Sequence, residues 1–241
     1  MINASNANDL PNVEKANYKV NVSDCEQITI ANPEHNFELF SSQIKDLYNK
    51  VPKHIGIYAG SFNPIHEGHI DIILKASRIF DLVFVVIADN PDKHYSVSRQ
   101  DRQELISREL GKLIDLKGKF QVGYTQGLIA EYALQVSKGV FTGYKASVTL
   151  IRGIRSASDL EYEKPIAEFN KQLHSNTIIK KVEPLETIYI TADPNFEHIS
   201  SSSIRQLARL TTNHPRQFIN LFQSMSSDWI ESVKEWYHNE P

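Results

Sequence analysis

The chain has 241 residues, of which 41% are hydrophobic and 23% are charged, with ten glycines and ten prolines. These values are ordinary for a globular protein, so they exclude a collagen, a coiled coil or disorder as a description of the whole chain. The net charge of −3 lacks the basic excess of a general nucleic-acid binder, so any anion site must be built locally.

Three features bear on the compartment. The single cysteine, Cys25, cannot form an internal disulfide, which is typical of a reducing environment. The first thirty residues contain no apolar run that could serve as the core of a signal peptide. The longest unbroken apolar run, Leu82 to Ala88, is far shorter than the ~20 residues that span a membrane. We therefore expect a cytoplasmic protein with no membrane partner.

An N-terminal extension over residues 1–52 is the first predicted unit. Residues 1 to about 36 are rich in Asn, Ser and Asp and show no sustained period, which predicts a mobile arm or a lightly docked extension. Apolar residues at helical spacing then predict a short helix from Phe37 to Asn49, ended by Pro52.

From His54 onward, short β-rich runs alternate with longer helical patterns. This alternation predicts an α/β fold, a doubly wound parallel sheet with helices on both faces. The predicted strands are Ile55–Tyr58, Leu82–Ala88, Phe120–Val122, Ser147–Ile151 and Thr187–Ile190. The predicted helices are Gly68–Phe80, Arg99–Leu113, Leu128–Ser137, Asp159–Leu173 and Ser202–Leu210, with a C-terminal helical tail over residues 212–241 that includes a segment from Pro215 to Tyr237.

The densest chemistry follows the first of these strands, in the sequence GSFNPIHEGH that begins at Gly60. In such a fold, ligands bind beyond the carboxyl ends of the strands, and a helix start offers free N–H groups to anions. His66 and His69 are three residues apart and face the same way, and Gly68 lets a phosphate approach the backbone. An N-terminal turn capped by an imidazole is the alternative, and the complete motif makes it the weaker one.

A second helix start carries four consecutive serines, Ser200 to Ser203, with Arg205 close behind. One hydroxyl suffices for a cap, so a plain N-cap does not account for all four. Hydroxyls, backbone N–H groups and a guanidinium together predict a second polyphosphate site.

Between these two helix starts lie Arg152 and Arg155, at the end of a predicted central strand. Lys93 follows the strand Leu82–Ala88 and emerges at the same edge of the sheet. Solvent-facing surface charge is the weaker alternative, because strand ends at this edge are where ligands bind. We expect these cations to converge on one crevice.

Together the three segments resemble the nucleotidyltransferase superfamily marked by His-x-Gly-His and Ile-Ser-Ser-(Ser/Thr)-x-x-Arg. The segment RGIRSASDLEYE, from Arg152 to Glu163, is similar to the signature of bacterial phosphopantetheine adenylyltransferases. The similarity runs from about Ile55 to Leu210, within a predicted nucleotidyltransferase domain over residues 53–211. It implies a Rossmann-like fold and the ATP-dependent adenylylation of 4'-phosphopantetheine to dephospho-coenzyme A and pyrophosphate. It also implies Mg²⁺ with the ATP and a homo-oligomer, commonly a hexamer.

The resemblance also implies which residues meet the substrates. His69 is expected to stabilise charge developing on the α-phosphate, and Lys93 and Arg155 complete the expected catalytic set. The residues expected to contact ATP are Ser61, Phe62, His66, His69, Gly153, Ile154, Arg155, Glu163, Phe196, Glu197, His198, Ile199, Ser200, Ser201, Ser202 and Arg205. The residues expected to contact the acceptor are Ser61, Lys93, Ile129 and Arg152, and no metal ligand is expected from the chain itself.

The chain departs from the family pattern in several places. Ser61 and His66 stand where Thr is frequent, and Phe196 stands near where an aromatic residue, often Trp, meets adenine. Residues 134–150 form a longer stretch than usual, expected to lengthen an edge hairpin or to alter subunit contacts. The N-terminal extension and longer C-terminal tail are additions to a compact family, and they bear on its assembly.

Two other functions stay open at this point. One is adenylylation of nicotinate or nicotinamide mononucleotide, and the other is a catalytically silent nucleotide-binding module used in regulation or assembly. Nucleic-acid binding by the C-terminal aromatic residues is disfavoured because acidic residues interleave them. Trp229, Trp236 and Tyr237 are predicted to lie in the core or at a subunit interface.

Overall fold

The computed structural model describes residues 16–23, 26–32, 54–89, 95–175, 185–211 and 214–237. The predicted helix from Phe37 to Asn49 and the predicted substrate contact Lys93 lie outside these ranges. Within them, no helix is both long enough and apolar enough to cross a membrane.

The N-terminal extension contains a β-hairpin. Strands β1 (Ala16–Ser23) and β2 (Glu26–Asn32) pair antiparallel as a separate two-stranded sheet. Their register sets Tyr18 opposite Ile30 and Val20 opposite Ile28. No strand was predicted in this extension, so the hairpin adds regular structure to it. The alternation of apolar residues through both strands was a usable strand signal, which the polar composition of the arm obscured.

The main sheet has five parallel strands in the order β5-β4-β3-β6-β7. All five predicted strands are present, as β3 (His54–Gly60), β4 (Leu82–Ala88), β5 (Phe120–Thr125), β6 (Ser147–Ile154) and β7 (Glu186–Thr191). The chain winds outward from β3 to β5, then returns to place β6 on the other side of β3. The predicted doubly wound fold is confirmed, and its switch point lies between β3 and β6.

The helices follow the strands in the predicted order. They are α1 (Glu67–Ala76), α2 (Arg99–Gly111), α3 (Ile129–Ser137), α4 (Ala157–Ser175), α5 (Ser201–Leu210), α6 (Pro215–Leu221) and α7 (Ser227–Tyr237). Helix α1 ends four residues earlier than predicted, where the Ser77 hydroxyl donates to the Leu74 carbonyl and competes with the backbone. The final helical segment is two helices rather than one, because Ser226 accepts from the Trp229 N–H and starts α7.

The core has two layers, one on each face of the sheet. Along β4, Val83, Val85 and Ile87 belong to one layer, while Phe84 and Val86 belong to the other. The alternation has the period of a strand, and burial on both faces explains why the whole run is apolar. Fully burying each such side chain stabilises the fold by about 1.5–3 kcal/mol.

The C-terminal helices complete the first of these layers. Trp229 and Tyr237 are fully buried, and the Trp229 ring lies 5.3 Å from the Phe222 ring and 6.1 Å from the Phe218 ring. The predicted core position of Trp229 and Tyr237 is confirmed, and it is incompatible with stacking on nucleic-acid bases.

The long stretch over residues 134–150 does not form an edge hairpin. It runs from the end of α3 through a turn into β6. Gly139 and Gly143 have φ values of 81° and 74°, which favour glycine, and the Thr142 hydroxyl donates to the Tyr144 carbonyl at 2.7 Å. The expectation of a lengthened hairpin is therefore wrong, because the following strand pairs parallel with β3.

Candidate active site

A cavity of about 240 Å³ opens at the carboxyl ends of β3 and β6, at the switch point of the sheet. Its walls come from these two strands, from α1 and from the segment that links β7 to α5. The lining residues are Tyr58, His66, Gly68, His69, Ile72, Gly153, Arg155, Ala192, Phe196, Ile199, Ser200 and Ser201.

The turn over residues 61–66 connects β3 to α1 at this cavity. Phe62 adopts a φ of 44°, and its buried ring packs edge-on against Tyr58 at 5.5 Å and His69 at 5.0 Å. A Cβ at Gly60 would lie 3.2 Å from the Phe62 ring, so glycine permits this close approach. The turn thus places an aromatic support behind the His69 imidazole.

Two imidazoles stack at the start of α1. The ring centroids of His66 and His69 are 3.7 Å apart, with the planes inclined by 27°. The Nδ1 atoms of both rings are buried and have no hydrogen-bond partner among the described residues. A Cβ at Gly68 would lie 3.2 Å from the His66 ring and 3.5 Å from the Phe196 Cβ. Glycine therefore keeps the approach to the helix start open.

Both imidazoles are held in the neutral form. Burial lowers the pKa of His66 to about 3, and the positive charge of Arg155 acts in the same direction. Burial, His66 and Arg155 together keep the pKa of His69 well below its ordinary value. In the free protein near pH 7, each ring therefore acts as a hydrogen-bond donor and acceptor rather than as a cation.

The two helix starts differ in how their N–H groups are used. Helix α5 carries a capping box, in which the Ser203 N–H donates to the Ser200 hydroxyl at 3.1 Å and the Ser200 N–H donates to the Ser203 hydroxyl at 3.0 Å. Helix α1 has no side-chain cap at His66. An uncapped start leaves N–H groups for an anion, so α1 is the better prepared phosphate site.

The other two serines of α5 are also engaged. The Ser201 hydroxyl donates to the Pro64 carbonyl at 2.9 Å, and the Ser202 hydroxyl accepts from Arg205 Nη2 at 3.2 Å. Arg205 Nη1 in turn donates to the Asn63 carbonyl at 2.6 Å. Much of the serine cluster therefore caps α5 and joins it to the turn before α1.

The paired arginines face different surroundings. Arg155 lines the cavity and is exposed at its outer end. Its Nε atom lies 3.3 Å from Asp159 Oδ2. Arg152, on the other side of the strand end, lies 3.3 Å from Glu163 Oε2 through Nε. Of the two arginines, only Arg155 lines the cavity.

The predicted ATP contacts divide into two groups. Those that line the cavity are His66, His69, Gly153, Arg155, Phe196, Ile199, Ser200 and Ser201. Those outside the lining are Ser61, Phe62, Ile154, Glu163, Glu197, His198, Ser202 and Arg205. Two of the predicted acceptor contacts also lie outside the lining. Ile129 is the first residue of α3, which follows β5, two strands from the cavity. Arg152 lies beside the cavity, next in sequence to the lining residue Gly153.

Sequence reasoning did not single out Tyr58, Ile72 and Ala192 as lining residues. Ile72 could have been predicted from the sequence, because it lies one helical turn after His69. Tyr58 was harder to find, since it lies inside a strand before the turn. Burial raises the pKa of Tyr58, so its phenol stays protonated and can donate into the cavity.

Comparison with known proteins agrees with this architecture. The cytidylyltransferase-like family model matches residues 57–207. The phosphopantetheine adenylyltransferase of Pseudarthrobacter chlorophenolicus is 37% identical over 154 residues, covering 64% of this chain and 80% of that protein. The protein of the same name from Clostridium novyi is 35% identical over 153 residues, covering 64% of this chain and 82% of that protein.

Among solved structures, a similar fold occurs in Plasmodium falciparum nicotinic acid mononucleotide adenylyltransferase, with a TM-score of 0.55. The two are 18% identical, and the match covers 78% of this chain and 97% of that one. At this identity the likeness shows the fold alone. The family match and the two curated relatives show more: the chain belongs to the cytidylyltransferase-like family and, within it, to the phosphopantetheine adenylyltransferases.

Proposed function

We propose that this chain transfers the adenylyl group of ATP to 4'-phosphopantetheine, forming dephospho-coenzyme A and pyrophosphate. The observation that carries the proposal is the cavity at the switch point, where an uncapped helix start, two neutral imidazoles and Arg155 meet. The relatives of the same family support the choice of acceptor.

The reaction requires no nucleophilic side chain. A phosphate oxygen of the acceptor attacks the α-phosphorus of ATP and forms a new P–O bond. The bond from the α-phosphorus to the bridging oxygen breaks, and pyrophosphate leaves with the bonding electron pair. The protein contributes alignment of the two phosphates and stabilisation of the charge that develops between them.

His69 is the proposed donor to the α-phosphate. As a neutral ring it supplies an N–H to the oxygens on which charge accumulates, and the start of α1 adds its free N–H groups. Arg155 and the start of α5 would hold the departing pyrophosphate. Phe196 and Ile199 provide an apolar wall suited to the adenine ring.

Mg²⁺ enters this proposal with the substrate. No group of three His, Cys, Asp or Glu side chains within the described ranges could hold a metal ion. Mg²⁺ is commonly bound through substrate phosphates with few protein ligands, so we propose that it arrives as the ATP complex. Ser61, Lys93, Ile129 and Arg152 remain the proposed acceptor contacts, with Glu163 orienting the Arg152 guanidinium.

An acceptor comparison tests the function. The purified chain is incubated with ATP and Mg²⁺ together with phosphopantetheine, nicotinate mononucleotide or nicotinamide mononucleotide, and pyrophosphate release is measured. We expect turnover with phosphopantetheine only. Turnover with a mononucleotide alone would assign the other adenylyltransferase activity, and binding of ATP without any turnover would indicate a silent module. Light scattering of the same sample tests the homo-oligomer that we also propose.

A further inference from the structure

Within the turn before His66, the segment from Asn63 to Ile65 takes its hydrogen-bond partners from the C-terminal third of the chain. Three successive backbone carbonyls, of Asn63, Pro64 and Ile65, accept from Arg205, Ser201 and Trp229 respectively. A buried carbonyl without a partner is costly, so these donors determine where the turn can lie.

The last helix supplies two of the contacts to this turn. Trp229 Nε1 donates to the Ile65 carbonyl at 2.7 Å, and the Tyr237 hydroxyl donates to Asn63 Oδ1 at 2.6 Å. Both aromatic side chains are fully buried, and Asn63 is 4% exposed. In a buried environment a hydrogen bond resists competition from water, so both contacts hold their geometry.

Helix α7 contributes no residue to the cavity lining. Two of its residues nevertheless contact Asn63 and Ile65, which lie three residues and one residue before His66, the first imidazole of the stacked pair. The same turn carries Phe62, whose ring packs on His69 at 5.0 Å. A displacement of the turn therefore moves both the helix start and the support of the His69 ring.

We propose that Tyr237 and Trp229 are positioning residues for adenylyl transfer, which act through Asn63 and Ile65 to hold His66 and His69 in register with the α-phosphate. The proposal rests on the proposed function, because the register matters only for a reaction at this helix start. Misplacement of a catalytic group by about 1 Å can cost roughly a hundredfold in rate.

The test uses single-group deletions in the full chain. Tyr237→Phe removes one hydroxyl and keeps the ring, and Trp229→Phe removes the indole donor and keeps an aromatic side chain. Tyr132→Phe is the matched control, since Tyr132 is also buried but lies in the other core layer, on α3. The kcat, the KM for the acceptor and amide hydrogen exchange over residues 65–70 are measured well below each variant's Tm.

We expect Tyr237→Phe to lower kcat roughly 10- to 100-fold while the acceptor KM changes less than about twofold. Exchange over residues 65–70 should become faster in this variant and stay unchanged in Tyr132→Phe. A lower Tm with unchanged kcat and unchanged exchange would overturn the proposal and leave Tyr237 a purely structural residue. If Tyr237→Phe does not fold, Trp229→Phe addresses the same turn from a second contact and is judged by the same criteria.

Failure of the proposed function gives a different pattern. In that case the wild-type chain releases no pyrophosphate with phosphopantetheine, whatever the state of α7. Hydrogen exchange and ATP affinity, measured by calorimetry, then decide the positioning role alone. Faster exchange over residues 65–70 with weaker ATP binding in Tyr237→Phe supports it, and no change in either quantity overturns it.

Discussion

The neutral state of His69 determines what this residue can contribute to catalysis. A buried imidazole beside a second imidazole and Arg155 does not carry a positive charge in the free protein. It can still donate a hydrogen bond whose strength increases as negative charge accumulates on the α-phosphate. Such a donor stabilises the transition state more than the ground state, so its removal should affect kcat rather than ATP affinity.

Replacement of His69 tests this role. We expect His69→Ala to lower kcat about 10²- to 10³-fold, since one preorganised donor contributes about 3 kcal/mol to the barrier. His69→Asn retains an N–H donor and should recover part of the loss. Steady-state pyrophosphate release gives kcat, and calorimetry gives the ATP dissociation constant, which should change only a few-fold. Unchanged kcat in His69→Ala would favour the silent nucleotide-binding module.

His66 makes the stability of the protein depend on pH. Its pKa is about 3 in the folded chain and about 6.5 when unfolded, so the unfolded chain binds more protons between these values. The contribution of His66 is therefore fully present above pH 6.5 and is lost as the pH falls below it. At pH 5 the loss from His66 should be about 2 kcal/mol.

Urea denaturation at pH 7.5 and pH 5.0 measures this loss. His66→Thr lacks the titrating ring, and its free energy of unfolding should fall by about 2 kcal/mol less than that of the wild type over this interval. The carboxylates titrate in both proteins, so their effect cancels in the comparison. Equal losses in the two proteins would show that His66 is not held neutral by the fold.

At the scale of elements, the starts of α1 and α5 differ in how their backbone N–H groups are used. Helix α5 uses two of its serines to cap itself, whereas α1 begins at His66 without a side-chain cap. The uncapped start also has Gly68 in its first turn, where a side chain would narrow the space between His66 and Phe196. The difference is the reason why we propose the main phosphate contact at α1.

Gly68→Ala tests this assignment. The added Cβ would lie 3.2 Å from the His66 ring, so we expect the KM for ATP to rise by about tenfold, equivalent to about 1.4 kcal/mol. Alanine is the better helix former by about 1 kcal/mol, so urea denaturation should show no large loss of stability. Gly111→Ala is the matched control, because nothing lies within 4 Å of a Cβ there. An unchanged KM in Gly68→Ala would remove α1 from the phosphate site.

At the scale of the whole molecule, one buried guanidinium joins three parts of the fold. Arg102, on α2, is 2% exposed and donates to the Ser61 carbonyl at 2.8 Å and to Asp89 Oδ1 at 2.7 Å. Burial opposes ionisation of Asp89, but hydrogen bonds from Arg102 and Arg99 lower its pKa. The network thereby ties the turn after β3 to the end of β4.

Asp89→Ala should be strongly destabilising, because it leaves the Arg102 charge buried with one partner fewer. We expect the free energy of unfolding to fall by about 3 kcal/mol, as measured by urea denaturation at pH 7. Glu186→Ala breaks a surface pair with Lys171 and should cause no measurable change. Similar losses in both variants would contradict the importance of burial in this network.

The alternation of strand and helix patterns, the order of the motifs and the buried run of β4 were all predictable from the sequence. These are local properties, since periodicity and helix-start chemistry depend on residues a few positions apart. The lining of the cavity was predictable where the chain follows strand ends and enters helices, which covers His69, Arg155 and Ser200. Tyr58 was missed because it lies within a strand, before the turn. The β1–β2 hairpin was missed because the polar composition of its segment obscured the alternation of apolar residues.

By itself, then, the sequence determined the fold class, the family and the residue types at the strand ends. The tertiary structure alone decided that β6 lies beside β3, that both imidazoles are neutral, and that the α5 serines serve largely as caps and ties. It also brought Tyr237 to Asn63, 174 residues earlier in the chain. The physical reason is that burial and long-range hydrogen bonds depend on which distant segments meet, and no local pattern specifies such encounters.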